Sequence, residues 1–263
     1  MKLPFGFVLV LCLSFSSFVQ ADDHSTVTDA VKDKHGFLVH EVRSSFQATV
    51  TQICLLFPDK FDRKTPLPVV YVLPVEARNE DRYGNGLLEI KKLDLHNHLN
   101  VVFVAPTFSH LPWYADHPSR AEIRQESYLC KVVIPFIDRT YPVEREAKGR
   151  HLLGFSKSGW GAWSLLLRNP ELFGRAVAWD APLMMEKPGK YGSGEIFGPA
   201  ENFERFRVSK LLASKADLFH KEKRLFLYGY GNFRAEHEQA HSLMNRLKIV
   251  HDYQDGPFRK HNW

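Results

Sequence analysis

An α/β fold with a mostly parallel sheet is predicted for this chain by two patterns and one bound. Short apolar runs, Val69-Val70-Tyr71-Val72-Leu73 and Val101 to Ala105, are what strands buried on both faces look like in sequence. They alternate with stretches of helical periodicity roughly 10–20 residues long, the arrangement of βαβ units whose sheet is covered on both faces. The bound is length. The chain has 263 residues, 44% hydrophobic and 25% charged, enough for one large core.

The first 21 residues, MKLPFGFVLVLCLSFSSFVQA, hold one lysine and an apolar run from Phe5 to Val19, with Val19 and Ala21 at the −3 and −1 sites before Asp22-Asp23. That is the layout of a cleavable export signal, and the run is shorter than the roughly 20 residues a spanning helix needs. Cleavage after Ala21 leaves residues 22–263 as one domain, secreted or periplasmic and without a membrane anchor. Losing Lys2 takes the formal charge from +5 to +4. The basic residues are scattered, so nucleic acid is not an expected partner. Cys54 and Cys130 read as buried small hydrophobes rather than a disulfide. Neither they nor the histidines have metal-ligand spacing, and His96-Asn97-His98 reads as a loop.

Taken in order, Phe37 to Val42 and Gln47 to Phe57 predict a strand pair turning at Ser44-Ser45. Pro66 and Pro68 introduce the run at 69–73, and a further strand follows at 101–105. Arg120 to Tyr141 is helical, with Ile123, Cys130, Ile134 and Ile137 on one face. A strand at His151 to Phe155 leads into a helix from Gly159 to Arg168, stopped by Asn169-Pro170. Strands follow at Arg175 to Trp179 and Lys223 to Tyr228, separated by a Gly- and Pro-rich stretch from Glu186 and a helical Phe203 to Phe219. A helix from Ala235 to Lys248 and a strand around Val250 to Tyr253 close the chain.

In parallel α/β sheets chemistry gathers at the carboxyl ends of strands, and Leu152-Leu153-Gly154-Phe155-Ser156-Lys157-Ser158-Gly159 stands at one. A serine lifted on a sharp strand-to-helix turn needs small residues two positions to either side, here Gly154 and Ser158. The alternative is that Ser156 or Ser158 simply caps the helix. The flanking sequence decides how the serine reads. Ile134-Pro135-Phe136-Ile137-Asp138, Gly154 to Gly159 and Asn169-Pro170-Glu171-Leu172-Phe173 resemble, in order, the helix, elbow and helix end of the esterase family of α/β-hydrolases that includes feruloyl esterases, S-formylglutathione hydrolases and esterase D. The resemblance extends over nearly all of residues 22–263 and implies an α/β-hydrolase fold with Ser156 as nucleophile.

It also implies a base and an acid. His261, in Lys260-His261-Asn262-Trp263, stands where the family has its histidine, and His251 is the rival. Where relatives carry an aspartate after the next-to-last strand, this chain has Asn232 in Gly229-Tyr230-Gly231-Asn232. Asparagine can orient an imidazole but cannot stabilise its charged form. Asp180 and Glu236 are the candidate acids, with Asp180 favoured because strand ends are rigidly held. The oxyanion hole should combine the N–H of Lys157 with one from the loop after Leu73, where relatives have His-Gly and this chain has Pro74-Val75-Glu76; the Glu76 N–H is the expected second donor. The Lys157 side chain reads as solvated, with attraction of an anionic substrate as the alternative.

Residues 186–219 are expected to form a cap insertion. Its aromatics Tyr191, Phe197, Phe203 and Phe206, with Phe108, Trp113 and Tyr114, either line an acyl or sugar pocket or form a small core; the core is the expectation for at least half of them. Export favours a carboxylic ester, small or carbohydrate-linked, over a cytosolic thioester, and the resemblance implies no cofactor or metal. Acyl transfer to an alcohol by the same residues is a second possibility. A binding protein on a decayed scaffold is the rival from another class. It draws on Ser158, Pro74-Val75, Asn232 and the chain's end at Trp263, where relatives continue into a closing helix.

Overall fold

The computed structural model describes residues 25–62 and 64–263, so the expected export signal at 1–21 lies outside the described residues. Among the described residues, ten strands run in chain order: β1 (Thr26–Val27), β2 (Val31–Lys32), β3 (Leu38–Arg43), β4 (Thr51–Leu56), β5 (Val69–Leu73), β6 (Val102–Pro106), β7 (Arg150–Phe155), β8 (Arg175–Trp179), β9 (Leu225–Tyr230) and β10 (His251–Phe258). They form one sheet, ordered β1-β3-β4-β6-β5-β7-β8-β9-β10 with β2 on β3. β3, β4 and β6 pair antiparallel, whereas β6, β5, β7, β8, β9 and β10 are parallel, with Leu73 opposite Gly154 and Phe155 opposite Trp179. The predicted class, α/β with helices on both faces, is the observed one.

Two short helices, α1 (Gly86–Lys92) and α2 (Leu95–Leu99), cover one face, burying Leu87 and Ile90 with Phe37, Leu56, Val72 and Phe103. α1 starts where the Asn85 side chain accepts the N–H groups of Leu87 and Leu88, satisfying donors that a helix start leaves free. His96-Asn97-His98 therefore lies within a helix, not a loop. The other face carries α3 (Gln125–Tyr128), a π turn over Leu129–Val133, α4 (Ile134–Thr140), α5 (Lys157–Arg168), α6 (Gly194–Phe197), α7 (Ala200–Glu204), α8 (Val208–Lys215) and α9 (Arg234–Arg246), packed on one large core. The helix predicted over 120–141 begins at Gln125, and its middle turn widens just before Pro135, whose ring crowds the carbonyl four residues back and offers it no N–H. No described helix is long and apolar enough to cross a membrane.

Residues 186–219, expected as a cap insertion, pack in part on the main body. Val208, Leu211, Leu212 and Phe219 enter the main core, and the Ser164 hydroxyl of α5 donates to the Phe206 carbonyl at 2.8 Å. Cys54 and Cys130 are free thiols, pushed up by burial to about 11 and about 12, which leaves them protonated and unreactive as nucleophiles.

Candidate active site

The chain turns from β7 into α5 through Ser156, whose φ of 53° and ψ of −125° lie where side chains are rarely found; holding a residue there costs on the order of 1–3 kcal/mol. Packing enforces the turn. A Cβ on Gly154 would stand 2.1 Å from the Ser158 carbonyl oxygen, and one on Gly159 would stand 2.8 Å from the Ala181 Cβ. Ser158, in place of a glycine, is fully buried and braces the bend: its hydroxyl accepts the Phe155 N–H at 2.9 Å and donates to the Phe155 carbonyl at 2.8 Å. The Ser156 N–H donates to the Trp179 carbonyl of β8 at 3.1 Å. Its hydroxyl makes no capping bond to the helix it precedes, so the capping alternative describes neither serine.

Asp180 directly follows β8 and is completely buried. Its Oδ1 accepts the Phe233 N–H at 2.8 Å, and its Oδ2 accepts the Asn232 N–H at 3.0 Å and His261 Nδ1 at 2.5 Å. Burial alone would raise the carboxyl, but the bonds from His261 and the backbone of residues 231–233 outweigh it and hold the group below its ordinary value. An ionised carboxylate can only accept, so His261 Nδ1 carries a proton, which makes Nε2 the accepting nitrogen of the neutral ring. Asn232 thus meets the site through its backbone, and the carboxylate it would have supplied comes from the neighbouring strand. Gly231 permits this, since a Cβ there would stand 2.5 Å from Asp180 Oδ2.

The imidazole of His261 is boxed by aromatic rings, at 4.6 Å from Phe155, 5.5 Å from Tyr83 and 5.6 Å from Phe233, centroid to centroid. Phe155 directly precedes Ser156, so the serine and the imidazole share one end of the sheet. Trp263 is anchored: its N–H donates to the Tyr83 carbonyl at 2.8 Å, and its ring lies against Gly86 and Phe155. Below Asp180, the Ala181 N–H donates to His237 Nε2 at 2.9 Å, and burial pushes this imidazole down to about 4.

Other sequence candidates lie elsewhere. Glu236 Oε2 accepts the Met184 N–H at 2.8 Å, and burial raises its carboxyl; the side chain ties down that loop rather than His261. His251 faces His241 and the Ile249 carbonyl. Lys157 is buried rather than solvated, with Nζ 3.7 Å from Glu76 Oε1 and 6.0 Å from the Tyr83 ring centre, and burial lowers its ammonium. Phe108, Trp113, Tyr114, Phe197, Phe203 and Phe206 are core rather than pocket wall, for example with Trp160, Trp113 and Phe197 in mutual contact; Tyr191 alone of that set is substantially exposed, at 48%. A groove of about 960 Å³ lies on the α1 face, bordered by Val39, Cys54, Val72, Leu87 and Trp263. It contains none of Ser156, Asp180 or His261, so volume and reactive groups do not coincide. Tyr83, Phe233, His237 and the brace of Ser158 are missed in the sequence, where only the requirement for a small residue at 158 is visible.

The family model described as Putative esterase matches residues 96–228, half of the chain. The chain belongs to this esterase family. The matched region includes the elbow and Asp180 and stops short of His261. Among solved structures, a ferulic acid esterase is 18% identical at a TM-score of 0.65, with 92% of this chain and 93% of the other covered. An S-formylglutathione hydrolase from Agrobacterium tumefaciens is 15% identical at 0.67, with 87% and 92% covered. The ferulic acid esterase of Anaeromyces mucronatus is 17% identical at 0.57, with 92% and 85% covered. At such identities it is the α/β-hydrolase fold that is common to them. No curated protein matches the chain in sequence.

Proposed function

We propose that this esterase-family protein is a serine hydrolase that cleaves carboxylic esters through an acyl-enzyme on Ser156. The observation that carries the reading is the Asp180–His261 hydrogen bond at 2.5 Å, made at the strand end where Ser156 stands in a strained turn with its hydroxyl uncommitted to the helix. His261 Nε2 takes the hydroxyl proton as Ser156 Oγ attacks the ester carbonyl. Asp180 stays ionised and stabilises the imidazolium. The oxyanion settles on the N–H of Lys157, at the positive end of α5, and on that of Glu76. The imidazolium then protonates the departing alcohol. Water, activated by the same imidazole, releases the acid and restores Ser156.

The pattern of residues 1–21 supports action outside the cytoplasm, which favours small or carbohydrate-linked esters met there. Incubating the purified protein with a fluorophosphonate probe and with p-nitrophenyl acetate and butyrate tests the chemistry. Labelling and turnover that vanish in Ser156→Ala, with turnover lost in His261→Ala, are expected. A well-folded protein that takes no probe and turns over neither ester would refute the assignment and leave a binding protein on a hydrolase scaffold.

A further inference from the structure

Glu76 and Lys157 form a buried ion pair that the proposed chemistry does not use directly. Glu76 is 3% exposed and Lys157 is 7% exposed, and the two charges meet at 3.7 Å across the gap between the loop after β5 and the first residue of α5. Taking both charges out of water costs several kcal/mol per ion, which a pair at this distance recovers only in part; stability alone is a poor reason for it. What the pair joins is more telling. Lys157 supplies one proposed oxyanion donor from its backbone and Glu76 the other, so each donor residue is gripped by the side chain of its counterpart.

The loop needs such a grip because Pro74-Val75-Glu76-Ala77 has no glycine to fit it closely against the elbow. Its flanks are pinned elsewhere, by the Tyr114 hydroxyl on the Pro74 carbonyl at 2.5 Å and by the Arg78 N–H on the Phe108 carbonyl at 2.7 Å. Between those pins, the Glu76 side chain ties the loop to α5. Arg82, on the same loop and with its side chain 69% exposed, donates to the same Glu76 oxygen at 3.2 Å, so both cations share that oxygen.

We infer that the Glu76–Lys157 pair is the positioning element of the oxyanion hole, holding the two backbone donors at the spacing a tetrahedral intermediate requires. The inference rests on the reading of Ser156 as nucleophile. Both residues are positioning residues through their side chains, and their loss acts on the transition state rather than on substrate binding. A displacement near 1 Å of one donor costs roughly 10²-fold, and loss of one donor about 10²–10³-fold.

The experiment compares the full chain with Glu76→Gln, Lys157→Met, the double variant, Glu76→Asp and Lys157→Arg. It measures kcat and KM on p-nitrophenyl butyrate, and inhibition by butylboronic acid, whose tetrahedral adduct with Ser156 places an oxygen in the hole. Glu76→Gln and Lys157→Met are expected to lower kcat about 10- to 100-fold with KM little changed, and boronate affinity should fall in parallel. The double variant should be no worse than the worse single one, because the pair acts as a unit. Lys157→Arg should recover most of kcat, and Glu76→Asp, which keeps the charge if the neutral variants fold poorly, should fall between. Unchanged kcat in folded variants, or a rise in KM with boronate affinity intact, would overturn the inference. Wild-type protein that leaves Ser156 unlabelled by fluorophosphonate would instead overturn the reading beneath it.

Discussion

Replacing Asp180 by asparagine removes one proton acceptor at the point where three chain segments converge. The carboxylate accepts from Asn232 N–H, Phe233 N–H and His261 Nδ1, and an amide has one accepting oxygen where the acid had two. With that oxygen toward Phe233, the new NH₂ faces the Asn232 N–H and His261. The imidazole then takes its other tautomer, with the proton on Nε2, where it can no longer receive one from Ser156. A fall in kcat of about 10⁴-fold follows from the wrong tautomer. The unpaired backbone N–H costs about 1–3 kcal/mol, lowering Tm by roughly 2–4 °C per kcal/mol for a domain of this size. The sign with pH is fixed by the depressed carboxyl of Asp180. The stability its ionised form contributes is present above the unfolded value of 3.8 and is lost as pH falls through the lower folded value, so wild type and Asp180→Asn should converge in acid. Glu236→Gln is the control: glutamine still accepts the Met184 N–H and mimics the protonated form that burial favours, so kcat should not change. Stopped-flow turnover with thermal melts at several pH values reads both effects. A folded Asp180→Asn protein at full kcat, or loss of activity in Glu236→Gln, would refute the assignment of the acid.

Two further outcomes follow from the elbow and what lies beneath it. Ser158→Ala should destabilise the protein by about 1–3 kcal/mol, since it strands the buried Phe155 N–H; denaturant unfolding that gives no change would remove the brace from the account of the turn. His237 is held neutral, at about 4 against an ordinary 6.5. The unfolded chain takes this proton first, so stability falls as pH drops below about 6.5 and levels off below about 4, by about 3 kcal/mol from this group. His237→Gln should flatten that stretch of the unfolding curve, and an unaltered slope would show that another group is responsible.

The parallel strands were the most legible part of the chain. Val69–Leu73 begins and ends where its apolar run does, because a strand buried on both faces admits no polar alternation. α1 and α2 were invisible, since each is short and their buried stripe is little more than Leu87 and Ile90 amid charged residues and histidines. The elbow was readable because sterics demand small residues at fixed offsets. The burial of Lys157 was not, because its partner is remote in sequence and only the folded sheet brings Glu76 to it. Pattern alone could not tell a pocket-lining aromatic from a core one. Phe197 and Phe203 carry the same sequence signal in either role, and tertiary packing assigned them to the core.

The histidine that meets Asp180 comes 81 positions later in the chain, and during synthesis it leaves the ribosome after every strand of the sheet. A nascent chain can therefore fold its elbow and complete the strained turn while the carboxylate at the end of β8 still waits for its imidazole. Under the proposed chemistry, hydrolytic power would arrive only once Trp263 docks beside Gly86 and His261 enters its aromatic box. Order of synthesis would then act as a timer, keeping a chain not yet made as far as His261 inert toward the esters around it.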